Sequence, residues 1–189
     1  FILPQTMVVA THKRKKYTYE DYAALPEGAP YQLIGGELII LPAPTPYHQK
    51  VCGRISYFLR DHVYREELGG VFDALIDVFF EETETYQPDI IFISKERVGI
   101  VGEKRIEGAP DLVIEVISPA TAYYDLRKKF RVYERHGVKE YWIVDPEEKS
   151  IEVYINQGKK FLPAETAIKK GTVESQILKG FKVQLEEIF

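Results

Sequence analysis

The chain has 189 residues, 45% hydrophobic and 29% charged, with a formal net charge of −4. That length fits one domain with a substantial core, and the charge excludes a protein that holds nucleic acid by a general excess of basic groups, though not one with a local basic groove. The single cysteine, Cys52, excludes an internal disulfide framework and a zinc knuckle.

The first residues, Phe1 to Thr6, lack the basic and apolar regions of a signal peptide, and no apolar run reaches the roughly 20 residues of a membrane span. A cytoplasmic protein is therefore expected, with Met7 a candidate start. The basic cluster His12 to Lys16 reads as a solvated arm or as a phosphate contact, within a flexible tail over residues 1–16. Residues 17–189 are then expected to form a single domain. Tyr17 to Leu25 predicts a short capped helix with Thr18 and Asp21 at its start, closed by Pro26 and Gly28. Tyr31 to Leu41 predicts a β-hairpin about Gly35-Gly36, a pair that tolerates the positive φ of tight turns. After a proline-punctuated loop, Val51, Ile55, Phe58, Leu59, His62 and Val63 recur at helical spacing. In such a helix Cys52 reads as a small packing residue.

Strands are predicted over Val71 to Phe80, Asp89 to Ile93 and Asp111 to Ile117, the last two separated by a polar excursion from Lys95 to Gly108. Ala120 to His136 predicts a second long helix with Leu126, Phe130 and Tyr133 on its apolar face and Gly137 as its stop. Glu140 to Asp145 and Ile151 to Ile155 read as a strand pair across the turn at Pro146, with shorter strands between Lys159 and Phe181. This order of helix, strands, helix and strand pair predicts an α/β fold with a mixed sheet flanked by helices.

The chemistry is concentrated in two strands. Asp111, Val113 and Glu115 share one face of theirs, while Leu112, Ile114 and Val116 point the other way. A carboxylate among such residues is expensive to desolvate unless a cation or a donor meets it. Asp89 opens a second strand after Pro88, as a metal ligand or as an ordinary strand-start acid. Two acidic strands of this kind could hold a divalent cation, which makes a metal-dependent phosphodiesterase the first functional expectation. Asp111, just after Pro110, reads as another strand-start acid with a structural or supporting role rather than a catalytic one. Lys129, one turn from Asp125 and Tyr133, is either in a surface ion pair or aimed at the site. Glu37 is a further ligand or faces solvent, and His48 caps a helix or touches phosphate. The absence of HxxxH and HxH spacings argues against a classical zinc site, and the absence of Walker, GxGxxG and GxSxG patterns against nucleotide cofactors and serine hydrolysis. Lys95, Arg97, Lys104 and Arg105 make the polar excursion a candidate nucleic-acid-facing flap or a plain surface loop.

In order, Tyr31-Gln-Leu-Ile-Gly-Gly-Glu-Leu, His48-Gln, Gln87-Pro-Asp, Pro110-Asp-Leu-Val-Ile-Glu-Val-Ile-Ser-Pro119, Tyr124-Asp, Lys129, Tyr133 and Glu140-Tyr-Trp-Ile-Val-Asp-Pro146 resemble the Uma-two family of restriction-endonuclease-like proteins, a branch of the PD-(D/E)XK nuclease superfamily. The resemblance covers residues 17 to 189. It implies a restriction-endonuclease-like mixed central sheet between helices, with the hairpin as an N-terminal extension and a Mg²⁺ or Mn²⁺ site at one sheet end. Asp89 would be the Pro-Asp acid, Glu115 the acid of the (D/E)XK strand and Glu37 a third ligand. Isoleucine stands at 117 where the motif has lysine, and Lys129 would supply the displaced ammonium. His48, Asp111 and Tyr133 would support the site or touch phosphate. The implied activity is hydrolysis of double-stranded DNA by a homodimer. One alternative is a nuclease scaffold that binds nucleic acid or a partner without cutting; another is an interaction or structural protein whose acids are merely salt-bridged, with Glu115 neutralised by an arginine or lysine and no accessible cleft beside it.

Overall fold

The computed structural model describes residues 15–189, so the tail expected over residues 1–16 and most of its basic cluster lie outside the described residues. Helix α1, Tyr19–Ala23, is the expected capped helix: Asp21 reaches back to accept the N–H of Thr18 at 2.9 Å. The predicted hairpin forms from β1, Tyr31–Ile34, and β2, Glu37–Ile40, with Gly35 and Gly36 at φ 62° and 78° in the turn. Helix α2, Pro46–Arg65, begins with proline in its first turn, where no amide hydrogen is needed, and Thr45 Oγ1 accepts the N–H of His48. Its Val51, Ile55, Leu59 and Val63 are fully buried, as their spacing requires.

The stretch expected as one strand from Val71 to Phe80 is two strands in different sheets. β3, Gly69–Asp73, lies at the edge of the central sheet, and β4, Val78–Glu81, belongs to the hairpin's sheet. At the break two acids meet partners from other elements. Ser56 and Arg60 of α2 take Asp73, and Tyr22 and Gln87 donate to Asp77. The short strands β5, Glu84–Tyr86, and β7, Ile106–Glu107, complete this second sheet in the order β2-β1-β5-β4-β7.

The central sheet is built from β6, Ile90–Ser94, β8, Leu112–Val116, β9, Glu140–Asp145, β10, Ser150–Asn156, and β11, Phe161–Ile168, in the order β11-β10-β9-β8-β6-β3. Only β8 and β9 run parallel, so the sheet is mixed as expected. A π-helical segment, Tyr124–Lys129, leads from β8 toward β9 and continues as α3, Phe130–His136, ending at Gly137 with φ 85°. The chain closes with β12, Thr172–Glu174, β13, Lys182–Gln184, and α4, Leu185–Ile188.

Two apolar layers enclose the central sheet. On one side Leu112, Ile114 and Val116 meet α2, α4 and the β12–β13 pair. On the other side Val113, Ile91 and Ile93 meet α3 and the second sheet through Tyr133, Tyr86 and Ile106. The π-helical winding corrects one expected face. Hydrogen bonding from i to i+5 widens the turn and rotates the side chains, so Leu126 is 41% exposed while Asp125 and Lys129 point inward. The Tyr141 hydroxyl donates to the Asp125 carbonyl at 3.2 Å. Among the described residues no helix is long and apolar enough to cross a membrane.

Candidate metal centre

The antiparallel register pairs Ile90 of β6 with Ile114 of β8. Asp89, one residue before β6, therefore comes to the end of β8, where its Oδ2 accepts the N–H of Val116 at 2.8 Å. Strict alternation along β8 sends Leu112, Ile114 and Val116 toward α2 and leaves Glu115 facing α3. Glu115 is only 3% exposed. Its Oε1 accepts from Lys129 Nζ at 2.9 Å and from the Tyr133 hydroxyl at 2.6 Å. Lys129 also lies 2.9 Å from Asp125, so one buried ammonium serves two buried carboxylates.

This arrangement is short of positive charge. Burial pushes the Glu115 carboxyl up to about 8 against the pull of Lys129, and the neighbouring Asp125 and Asp89 push it the same way. Burial opposes the charge on Lys129, yet Asp125 and Glu115 outweigh it and hold the ammonium above its ordinary value. His48, in the first turn of α2, stands 3.5 Å from Asp89 Oδ2, and that carboxylate raises the imidazole above its usual range. The His48 Nε2 lies 2.8 Å from the Val116 carbonyl, and Nδ1 lies 3.6 Å from Cys52 Sγ. Burial, reinforced by Asp89 and Glu115, pushes the Cys52 thiol up, so without a cation it keeps its proton.

The donor chemistry of these residues suits a divalent cation, although the ligand atoms that lie within 4.8 Å of one another as a group of three among the described residues are those of His48, Cys52 and Asp89. Among the described residues, the hydrogen bonds to Glu115 fall on Oε1 and those to Asp89 on Oδ2, which leaves one oxygen of each carboxylate unengaged. Asp125 Oδ1 is buried and faces the Lys129 ammonium at 2.9 Å. Hard carboxylate oxygens in excess of cations are the donor set that Mg²⁺ or Mn²⁺ takes. A small cleft lined by Gln32, Ile34, Ile39, Thr121 and Tyr124 reaches down to Asp125 and Lys129. A larger cavity of about 400 Å³ lies at the other end of β8, beside Asp111 and Lys139, away from this cluster.

Of the residues singled out in the sequence, Asp89, Glu115, Lys129, Tyr133 and His48 come together. Asp111 sits at the opposite end of β8, held by Lys139 at 2.6 Å, Arg97 at 3.2 Å and the Ser94 amide at 2.8 Å. Glu37 stands exposed at the start of β2, and no hydrogen bond or ion pair joins it to the cluster. In the polar excursion, Arg97 is committed to Asp111 and the Ala109 carbonyl, and Arg105 pairs with Glu107 and lies over Tyr19 and Phe79. Two members of the cluster escaped the sequence. Asp125 reads there as the partner of a surface pair, and Cys52 as a packing residue. The available signal was the four-residue spacing of His48 and Cys52 and of Asp125 and Lys129.

No curated protein matches the chain. A solved structure described as "a putative nuclease belonging to DUF820", from Anabaena variabilis ATCC 29413, superposes with a TM-score of 0.74 at 23% identity, over 91% of this chain and 97% of that one. That likeness carries the fold. The family model described as "Putative restriction endonuclease" matches residues 19–186, nearly the whole described chain. By that match, with the Pro-Asp and Glu115 strands converging as they do, the chain belongs to the Uma2 family.

Proposed function

We propose that the protein is a metal-dependent endonuclease that hydrolyses phosphodiester bonds of double-stranded DNA. The observation that carries this reading is Glu115, buried at the end of β8 beside Asp89 with Lys129 aligned on it at 2.9 Å. Asp89 and Glu115 would hold Mg²⁺ or Mn²⁺ through their unengaged oxygens, with Asp125 balancing Lys129. Bound there, the cation supplies Lewis acidity toward a phosphoryl oxygen. Lys129 offsets charge that develops on the phosphate, and it is pre-aligned because Asp125 and Glu115 fix it from two sides. Tyr133 orients Glu115, and His48, one-sixth exposed, is placed to meet a phosphate oxygen or to steady Asp89. A homodimer bringing two such centres to opposite strands is the acting form in this reading.

The test is cleavage of plasmid DNA by the purified protein with Mg²⁺ or Mn²⁺, with EDTA, and by Glu115→Ala and Lys129→Met. Cutting is expected only with metal, lost in Glu115→Ala and slowed at least about a hundredfold in Lys129→Met. Linear product would come from paired centres, nicked circles from single ones. Equal cutting by wild type and Glu115→Ala would sink the assignment. A second reading, a nuclease scaffold that binds without cutting, is favoured by the closed ion cluster in which Lys129 is already paired twice. It predicts DNA retention on a filter with no metal-dependent cleavage.

A further inference from the structure

His48 and Cys52 are four residues apart on α2, so their side chains stand one above the other on one helix face. The His48 Nδ1 and the Cys52 Sγ are 3.6 Å apart. A tetrahedral cation with a nitrogen ligand near 2.0–2.1 Å and a thiolate near 2.3 Å separates those two atoms by about 3.6 Å. The other ring nitrogen is already anchored, because Nε2 lies 2.8 Å from the Val116 carbonyl and donates to it. That contact fixes the tautomer with the Nδ1 lone pair free toward Cys52. A histidine that ligates through one nitrogen and gives its other N–H to a backbone carbonyl is the usual arrangement around bound metals. An acid stands beside them: one ligand atom from each of His48, Cys52 and Asp89 lies within 4.8 Å of the others, each residue is partly accessible, and Asp89 Oδ2 is 3.5 Å from the His48 Nε2 edge of the ring.

We infer that His48, Cys52 and Asp89 form a binding site for a thiophilic divalent transition cation, with Zn²⁺ the best match. Sulfur and imidazole select such a cation over Mg²⁺, which prefers oxygen ligands and octahedral geometry. Binding releases one proton, from the Cys52 thiol, to solvent as the thiolate–metal bond forms. Three protein ligands leave the fourth tetrahedral position for water. Asp89 is shared with the carboxylate centre proposed for DNA hydrolysis, so Zn²⁺ here withdraws a ligand from that centre and antagonises Mg²⁺. Occupancy of the site does not depend on whether the protein cleaves DNA.

The probe is Co²⁺, a coloured substitute for Zn²⁺, added to the intact protein in mildly alkaline buffer. Thiolate-to-cobalt charge-transfer absorption in the near ultraviolet, with intense tetrahedral bands in the visible, is expected at one equivalent and is bleached by Zn²⁺. Cys52 is the only cysteine, so Cys52→Ser should abolish the charge-transfer band, and His48→Ala and Asp89→Asn should each weaken Co²⁺ binding at least about tenfold. Glu115→Ala should retain the band while removing cleavage, which separates this site from the hydrolytic one. Zn²⁺ should raise the melting temperature of wild type and not of Cys52→Ser, because a ligand bound only to the native state stabilises it. No band in the wild type would overturn the proposal. So would a band that survives unchanged in both His48→Ala and Asp89→Asn, because it would mean adventitious thiol capture.

Discussion

At the scale of single residues, Glu115 is the buried carboxyl around which the cluster is arranged. Its carboxyl is held above its ordinary value of 4.5, up to about 8, because burial and two neighbouring acids exceed what Lys129 and Tyr133 return. Between those values the folded chain keeps a proton that the unfolded chain has released. The native state then binds more protons, so stability falls as pH rises through that window. In EDTA the melting temperature should accordingly drop from mildly acidic to mildly alkaline buffer, and Glu115→Gln should flatten that part of the profile. A slope unchanged in the variant would place the titrating group elsewhere. At this scale the sequence was legible where cost betrays function. A glutamate between Ile114 and Val116 needs a partner, and Lys129 is that partner. It was not legible for Glu37, because one exposed and one ligating acid in a hairpin look the same along the chain. For Asp111 the structural side of the expectation holds, because this buried acid is met by two cations and an amide at the far end of the strand.

At the scale of elements, the periodic segments appear where their patterns put them: the hairpin at Gly35-Gly36, the buried stripe of α2, and the strands that begin after Pro88 and Pro110. Two departures place polar groups against other elements. At the break between the sheets Asp73 and Asp77 accept from Ser56 and Tyr22, and the π-helical winding turns Asp125 and Lys129 inward in place of Leu126. The edge of the central sheet adds a steric constraint that no pattern displays. Gly69 opens β3 at φ 153°, and a Cβ built there would sit 2.1 Å from the Ile93 carbonyl oxygen. Backbone cannot yield as a flexible side chain does, so Gly69→Ala should cost about 1–3 kcal/mol. Urea denaturation is the direct measurement, with a lowered midpoint at unchanged slope expected. A midpoint equal to wild type would mean that β3 is free to shift away from β6.

The whole molecule depends on its last turns more than their length suggests. The segment from β12 to α4 contributes Val173, Leu178, Phe181, Val183, Leu185 and Ile188 to the layer under α2, and Phe181 stacks on Trp142 at 5.7 Å. Glu140 anchors the same segment by accepting from the Gln176 and Ile177 amides and from Trp142 Nε1. Burying one large aliphatic or aromatic side chain is worth about 1.5–3 kcal/mol. Six of them exceed much of the roughly 5–15 kcal/mol that a domain has in total. A chain ending at Lys170 should therefore lose its cooperative thermal transition and its near-ultraviolet circular dichroism. A sharp transition in that truncation would show that the segment is an appendage rather than a wall of the core.

The sequence by itself determined the elements whose signals are local: alternation for β8, three- and four-residue spacing for α2, glycine pairs and prolines for the turns. It also determined that two acids stood at strand positions where burial is costly, and enough ordered motifs to point to the family. Only the tertiary structure decided which polar groups converge. Convergence depends on the register of β6 against β8 and on the seating of α2 over the sheet, contacts between residues far apart in the chain, and on a local π-helical winding before α3 that side-chain periodicity does not mark. Period-two and period-3.6 patterns carry no information about such distances. Hence Asp89, Glu115 and Lys129 could be named from the sequence, while Asp125 and Cys52 came into the site only when the layers closed around them.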